Sequence, residues 1–392
     1  MPTRSARQYL SLLFALSACC ALTSLVFVLG YVHFFENSLY QGNIEGERGF
    51  VGLYITDTLI YIDLLMVDEW SILAFAIAGV KNAFVPVLFW QLAQGSWYVM
   101  AAINAAFLYA ILSYLCRLCW HFNVPQRRAA FIVALLAFLP SVQYFSVGSL
   151  KELPTLLALT GFLYHFLKGQ KGYWFLWALV LILLRYQLGV LLMIFIFCAS
   201  FSKSPLRMAA LLVLGGTMAY PFFSHFGILS SETTEFLREE TDSQASAGAL
   251  LESIRETVPI ASAAAVLVRA LQSLMEPIIT LIGGPYLFYD GAISIEGFAY
   301  LSALILTVPS WVRTAAAIFR GLLHGLPRDT EILYSLILIY GVLVGGLSFV
   351  QGRYLFPATA LVLLGGVLYQ QRHHKVPLRS APARRSSVGQ QS

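Results

Sequence analysis

Apolar residues run through this chain in long blocks separated by short polar punctuation, beginning with a block from Tyr9 to Phe35. About 20 consecutive apolar residues cross a bilayer as a helix. On that rule the pattern predicts crossings near 10–34, 97–117, 129–147, 152–168, 173–184, 186–201, 206–226, 295–312, 331–349 and 354–370. Two further apolar stretches, 71–92 and 261–289, are long enough to cross, yet counting either alone as a crossing inverts every later loop. They are expected as re-entrant or interfacial segments on the outer side. The expected fold is thus an all-α polytopic membrane protein of about ten transmembrane helices. Residues 1–370 form a single transmembrane domain with outer-side loops at 35–96 and 227–294, and 371–392 form a disordered basic cytoplasmic tail.

Composition agrees with the pattern: 58% of residues are hydrophobic and 11% charged, against roughly 25% charged in an ordinary soluble domain. The first apolar block is too long for the core of a signal peptide and lacks a small-residue cleavage site, so it is expected to stay as an anchor. Charge then sets orientation, because cytoplasmic loops collect Lys and Arg. Ten crossings with both termini inside place most of the 25 basic residues on the cytoplasmic side. All acidic residues except Asp329 and Glu331 fall outside or at outer helix ends. The tail, with "RHHK" and "PARRSS", reads as a topology anchor; contact with anionic lipid headgroups is the functional alternative. The five cysteines lie in apolar runs or beside a basic loop, and no disulfide is expected. Cys116 and Cys119 spell C-x-x-C but lack the second pair or spaced histidines of a metal site.

Residues 173–201 carry basic residues at both flanks (Lys168 and Lys171, then Lys203 and Arg207), so both ends belong inside and the chain turns between them. Arg185, Tyr186 and Gln187 are the polar interruption. Arms of this length rise about 18–24 Å, short of the ~30 Å hydrocarbon core. Non-helical backbone at such depth persists only inside protein or beside a water-filled cavity. One long tilted helix with Arg185 snorkelling or paired is the alternative.

In this topology Lys151 and Glu152 occupy an outer turn, Arg185 an apex just under the same surface, and Arg353 of "QGRYLFP" the outer start of the last crossing. Glu276 and Asp290 bracket the second re-entrant segment. An ionisable residue within the membrane marks a candidate functional site. Each taken singly also fits a structural ion pair; their one-sided grouping favours a site. Glu152 is expected to open a helix, where the dipole favours a carboxylate and Pro154 fits an early position. Lys151 is then expected to point into an outer cavity or to pair with a carboxylate such as Asp57. In "LYITDTLIYIDLLMVDEW", Tyr54, Asp57 and Tyr61 share one helical face, with Asp63 directed elsewhere. An amphipathic helix lying at the interface would present one carboxylate over that cavity, or simply leave its acids solvated.

A multi-spanning chain with this acid-bearing segment after the first span, then "PSVQYFSVGSLKELPTLLALTGFLY", "LLRYQLGVLL", "GGPYLFYD" and a closing "QGRYLFPATALVLLGG", resembles the bacterial GT-C-type membrane glycosyltransferases and the related polysaccharide polymerases. The resemblance implies an outward-facing cavity that takes a sugar from a polyprenyl-phosphate or polyprenyl-diphosphate donor. It implies Asp57 or Asp63 as the base, and Lys151, Arg185 and Arg353 as phosphate contacts. Glu152, Tyr186, Gln187 and Tyr354 complete the expected substrate-binding set. The first outer loop lacks a D-x-D or paired-acid sequence, so the identity of the base and a divalent-metal requirement stay open; no cofactor is otherwise expected. The chemistry fits the residue types: arginine's planar fork binds phosphate oxygens, and an acceptor hydroxyl needs a carboxylate to take its proton. The implied partners are a polyprenyl-linked sugar or oligosaccharide, membrane lipids and other polysaccharide assembly proteins, at the bacterial inner membrane. No nucleic-acid partner is expected. No glycine-rich phosphate loop supports soluble nucleotide-sugar chemistry. The competing classes are a lipid-linked glycan or small-molecule transporter, and a non-catalytic scaffold of an envelope assembly.

Overall fold

The structure, a computed structural model, describes residues 4–40, 84–148, 151–225, 288–289, 292–293, 295–347 and 355–374. Apart from an antiparallel pair of two-residue strands, β1 (Phe288–Tyr289) and β2 (Ala292–Ile293), the regular structure there is helical. The helices are α1 (Arg4–Tyr40), α2 (Phe84–Leu92), α3 (Trp97–His121), α4 (Gln126–Ala137), α5 (Pro140–Phe145) and α6 (Glu152–Leu167). They continue as α7 (Lys171–Leu184), α8 (Tyr186–Phe201), α9 (Pro205–His225), α10 (Ile295–His324), α11 (Arg328–Leu347) and α12 (Thr359–His374), the last preceded by a 3₁₀ turn at Phe356–Ala358.

Within the described residues, helix occupies most of each of the ten stretches predicted from the apolar pattern. Among the described residues, three helical segments are long and apolar enough to cross a membrane: Arg7–His33, Trp97–His121 and Ser302–His324. Lys171–Leu184, Leu191–Phe201 and Pro205–Gly215 are shorter apolar helical stretches. Several buried hydroxyls are satisfied inside their own helices. Ser17 donates to Leu13 O, Thr160 to Leu156 O, Thr307 to Ala303 O and Ser335 to Glu331 O.

The stretch 129–147 departs from the single crossing predicted for it. The helix stops after Ala137 and restarts at Pro140, with Leu139 extended (φ −60°, ψ 130°). Proline at 140 has no N–H to give and disfavours the helical conformation at the residue before it. The carbonyl of Ala137 is taken up instead by Gln143 Nε2 at 2.6 Å, while Gln143 Oε1 accepts from Ser24 Oγ of α1. One side chain thus repairs the break and ties it to the first helix.

Close helix approaches are set by glycine. A Cβ at Gly366 of α12 would stand 2.9 Å from Ser310 Cα of α10, and one at Gly161 of α6 would stand 2.7 Å from the Trp177 ring of α7. At Gly366 the missing side chain lets two backbones meet directly, the usual device where helices pack in membranes, and at Gly161 it makes room for an indole ring.

Contacts between helix ends sort the bundle into two ends. At one, Tyr9 Oη of α1 donates to Val124 O after α3, and His121 of α3 meets Asp329 of α11 at 2.8 Å. There too Arg207 of α9 binds Leu322 O and Leu323 O at the end of α10, and Arg372 of α12 binds Thr330 of α11. Most described Lys and Arg residues lie at or within a few turns of this end. At the other end Phe145 packs on Phe356 (ring centroids 4.6 Å apart), and Trp90 packs on Trp97. There the described chain carries two basic residues, Lys151 and Arg185.

Candidate functional site

The site is assembled at this second end from α3, the start of α6, the α7–α8 break and α11. Asn104, buried on α3, donates through Nδ2 to Ser146 O at 3.0 Å and Gly148 O at 2.9 Å. Both carbonyls lie just past α5, so α3 fixes the linker that leads into Lys151. Lys151 then sits at the N-cap of α6 with helical backbone angles, and its carbonyl accepts both Thr155 N–H (2.9 Å) and Thr155 Oγ1 (2.6 Å). Glu152 opens the helix. Its carboxylate lies in the first turn, where the helix dipole favours negative charge.

Across from it, the apolar run 173–201 breaks at Arg185, which is extended (φ −151°, ψ 99°) between α7 and α8. The two arms, 14 and 16 residues long, rise about 21 and 24 Å at the helical pitch. They pack on one another as a hairpin whose apex is Arg185, and α7 also packs along α6. The apex arginine is not displayed to solvent. Arg185 Nη2 donates to Glu152 Oε1 at 3.2 Å, inside the protein. Glu152 is 1% exposed, Arg185 5% and Lys151 8%, so the whole cluster is withdrawn from water. Tyr340 of α11, fully buried, lies close enough to feel both charges of the pair. Glu152 Oε2 is buried and accepts no hydrogen bond.

The structure therefore brings Glu152 and Arg185 together, with Lys151 buried next to Glu152 in the chain. Tyr186 and Gln187 follow directly as the first residues of α8. Arg353 and Tyr354 lie outside the described residues, which resume at buried Leu355; the turn at Phe356–Ala358 packs on α6 and α11, at the same end. Asp57 and Asp63, with Tyr54, Tyr61, Glu276, Asp290 and the tail 375–392, also lie outside the described residues. Asn104 and Tyr340 were not anticipated. A lone amide in the apolar run "WYVMAAINAAFLYAILSYLC" is a signal for Asn104; nothing local distinguishes Tyr340 from any aromatic facing a core.

Other polar clusters occupy the opposite end. Glu331 accepts from Ser204 Oγ (3.2 Å) and from Leu326 N (3.1 Å), and Arg328 Nη2 donates to Ala199 O, which locks the α8–α9 and α10–α11 turns together. His165 links Tyr114 Oη (3.1 Å) to Gln170, and Arg117 lies over the rings of Phe14, Tyr114 and Tyr164. Their polar partners come from the protein itself, and they fasten turns. Among the described residues, no three His, Cys, Asp or Glu side chains group closely enough to hold a metal ion. No family model, curated protein or solved structure matches the chain.

Proposed function

We propose that the protein is a multi-pass glycosyltransferase or polysaccharide polymerase of the bacterial inner membrane. Its sugar comes from a polyprenyl-phosphate or polyprenyl-diphosphate donor, and the ten helical stretches cross with both termini cytoplasmic. The observation that carries the reading is the convergence of Lys151, Glu152 and Arg185 in a buried cluster at the end of the bundle opposite most basic residues. A chain does not gather a lysine, a carboxylate and an arginine out of water without return, since an intramembrane charge costs at least a few kcal/mol. A phosphate leaving group develops negative charge as its glycosidic bond breaks, and a preorganised cation pair in a low-dielectric site stabilises that charge more than water does. Arg353, two residues before the turn that packs on α6, is proposed as a further phosphate contact, and Tyr186 and Tyr354 as stacking surfaces for sugar. Asp57 and Asp63 remain proposed as acids of the first outer loop.

A second reading, a transporter of a lipid-linked glycan, is favoured by the broken α7–α8 pair, because discontinuous helices with buried charge also build transport sites. One experiment separates the two. Lipid-linked intermediates that accumulate in a deletion strain are identified by mass spectrometry and offered to the purified protein in nanodiscs. Transfer is expected, with release of polyprenyl phosphate or diphosphate. Arg185→Lys and Arg353→Lys are each expected to lose activity at normal protein level, because a point charge replaces a two-pronged donor. Movement of the intact lipid-linked species across proteoliposomes without bond cleavage would establish the transporter instead.

A further inference from the structure

We infer that Glu152, through its Oε2 atom, is the general base that takes the proton from the acceptor hydroxyl. The inference rests on the transferase reading and assigns the one role that reading leaves open.

Three observations carry it. First, the ion pair is one-sided: Arg185 Nη2 meets Oε1 at 3.2 Å, while Oε2 is buried and accepts nothing. An arginine fork can engage both oxygens of a carboxylate, and a buried acceptor left without a donor is costly enough that native folds rarely tolerate one. A ligand hydroxyl would supply the missing donor and displace no existing bond. Second, the arginine on Oε1 fixes the orientation of the carboxylate, a condition a base must meet before substrate arrives. Third, the other described carboxylates with placed side chains are committed elsewhere, Glu331 to Ser204 and Leu326 N–H and Asp329 to His121, at the opposite end of the bundle. Beside Glu152 stands Lys151, so one turn of chain offers an acceptor for a hydroxyl and a cation for a phosphate. A sugar phosphate presents both.

In the step itself the acceptor oxygen bonds to C1 of the donor sugar and its proton passes to Glu152 Oε2. The bond from C1 to the phosphate oxygen breaks, and the polyprenyl phosphate or diphosphate leaves with the electron pair. The departing phosphate then collects the proton and restores the carboxylate.

The test is single-turnover transfer and donor binding in nanodiscs for the wild-type chain, Glu152→Gln and the neutral pair Glu152→Gln/Arg185→Gln. Glutamine keeps the shape and an oxygen for Arg185 but cannot accept the proton. A fall of about a hundredfold or more in the chemical step is expected, with donor affinity changed less than about threefold in Glu152→Gln. If the single variant does not accumulate, the neutral pair, which leaves no lone charge, is compared with Arg185→Gln alone: it is expected to fold and to carry out the chemical step about a hundredfold or more slower than Arg185→Gln. Wild-type-like turnover in either variant would overturn the base assignment while leaving the transferase reading intact. Absence of transfer by the wild-type chain from every lipid-linked donor would overturn both.

Discussion

Removing either member of the Glu152–Arg185 pair strands the other in a buried setting, and breaking such a pair costs roughly 3–5 kcal/mol. Glu152→Ala and Arg185→Ala are each expected to lower stability by that order in denaturant titrations. The double variant is expected to recover part of the loss, which a double-mutant cycle measures directly. Asn104→Leu should cost about 1–3 kcal/mol, since it leaves two buried carbonyls of the α5–α6 linker without a donor. The charges themselves were legible in the sequence because nothing else interrupts those apolar runs. Their pairing was not, because Glu152 and Arg185 are 33 positions apart and no spacing rule joins residues on different helices. The fold matches the carboxylate with the arginine at the α7–α8 break.

Helix positions follow from hydropathy, and the described helices fall where apolar runs fall. Hydropathy is blind to backbone chemistry, however, and this is why 129–147 read as one crossing although Pro140 stands in it. The break at Arg185 was legible for a different reason: basic flanks at both ends of 173–201 require a turn within it. Close packing between helices has its own test. Gly366→Ala places a methyl group against Ser310 Cα at 2.9 Å, and overpacking of this kind costs about 1–3 kcal/mol. Gly341→Ala, whose Cβ would meet nothing within 4 Å, is the matched control and is expected to leave thermal stability unchanged or slightly raised. Loss of stability in both would point to helix-wide effects in place of the α10–α12 contact.

For the molecule as a whole, contacts between helix ends sort the described helices into two ends, and the charge pattern proposes which of them is cytoplasmic. Lys171, the first residue of α7, and Lys203, in the turn after α8, belong to the basic end; Gln91 of α2 directly follows Trp90 of the Trp90–Trp97 contact at the other. Single cysteines at Lys171 and Lys203 are therefore expected to resist an impermeant thiol reagent applied from outside, and a cysteine at Gln91 to react. External labelling at Lys203 would invert the α7–α8 hairpin and with it the proposed orientation. Asp57 and Asp63, on which the family resemblance leaned for a base, lie outside the described residues.

The one-way order of translation gives the buried pair a further meaning. Glu152 leaves the ribosome 33 residues ahead of Arg185, at the head of a helix that is complete before the hairpin begins. When the α7–α8 segment reaches the bilayer, its arginine meets a carboxylate already delivered. A lone arginine among lipid tails is among the costlier intermediates a nascent chain can present to the insertion machinery, and here the sequence order removes it. On the proposed topology, Glu152 is expected to act as a landing mark for the hairpin. Its loss should show first as delayed or misoriented insertion of residues 171–201 in a cell-free translation assay with membranes, before any catalytic defect can be read.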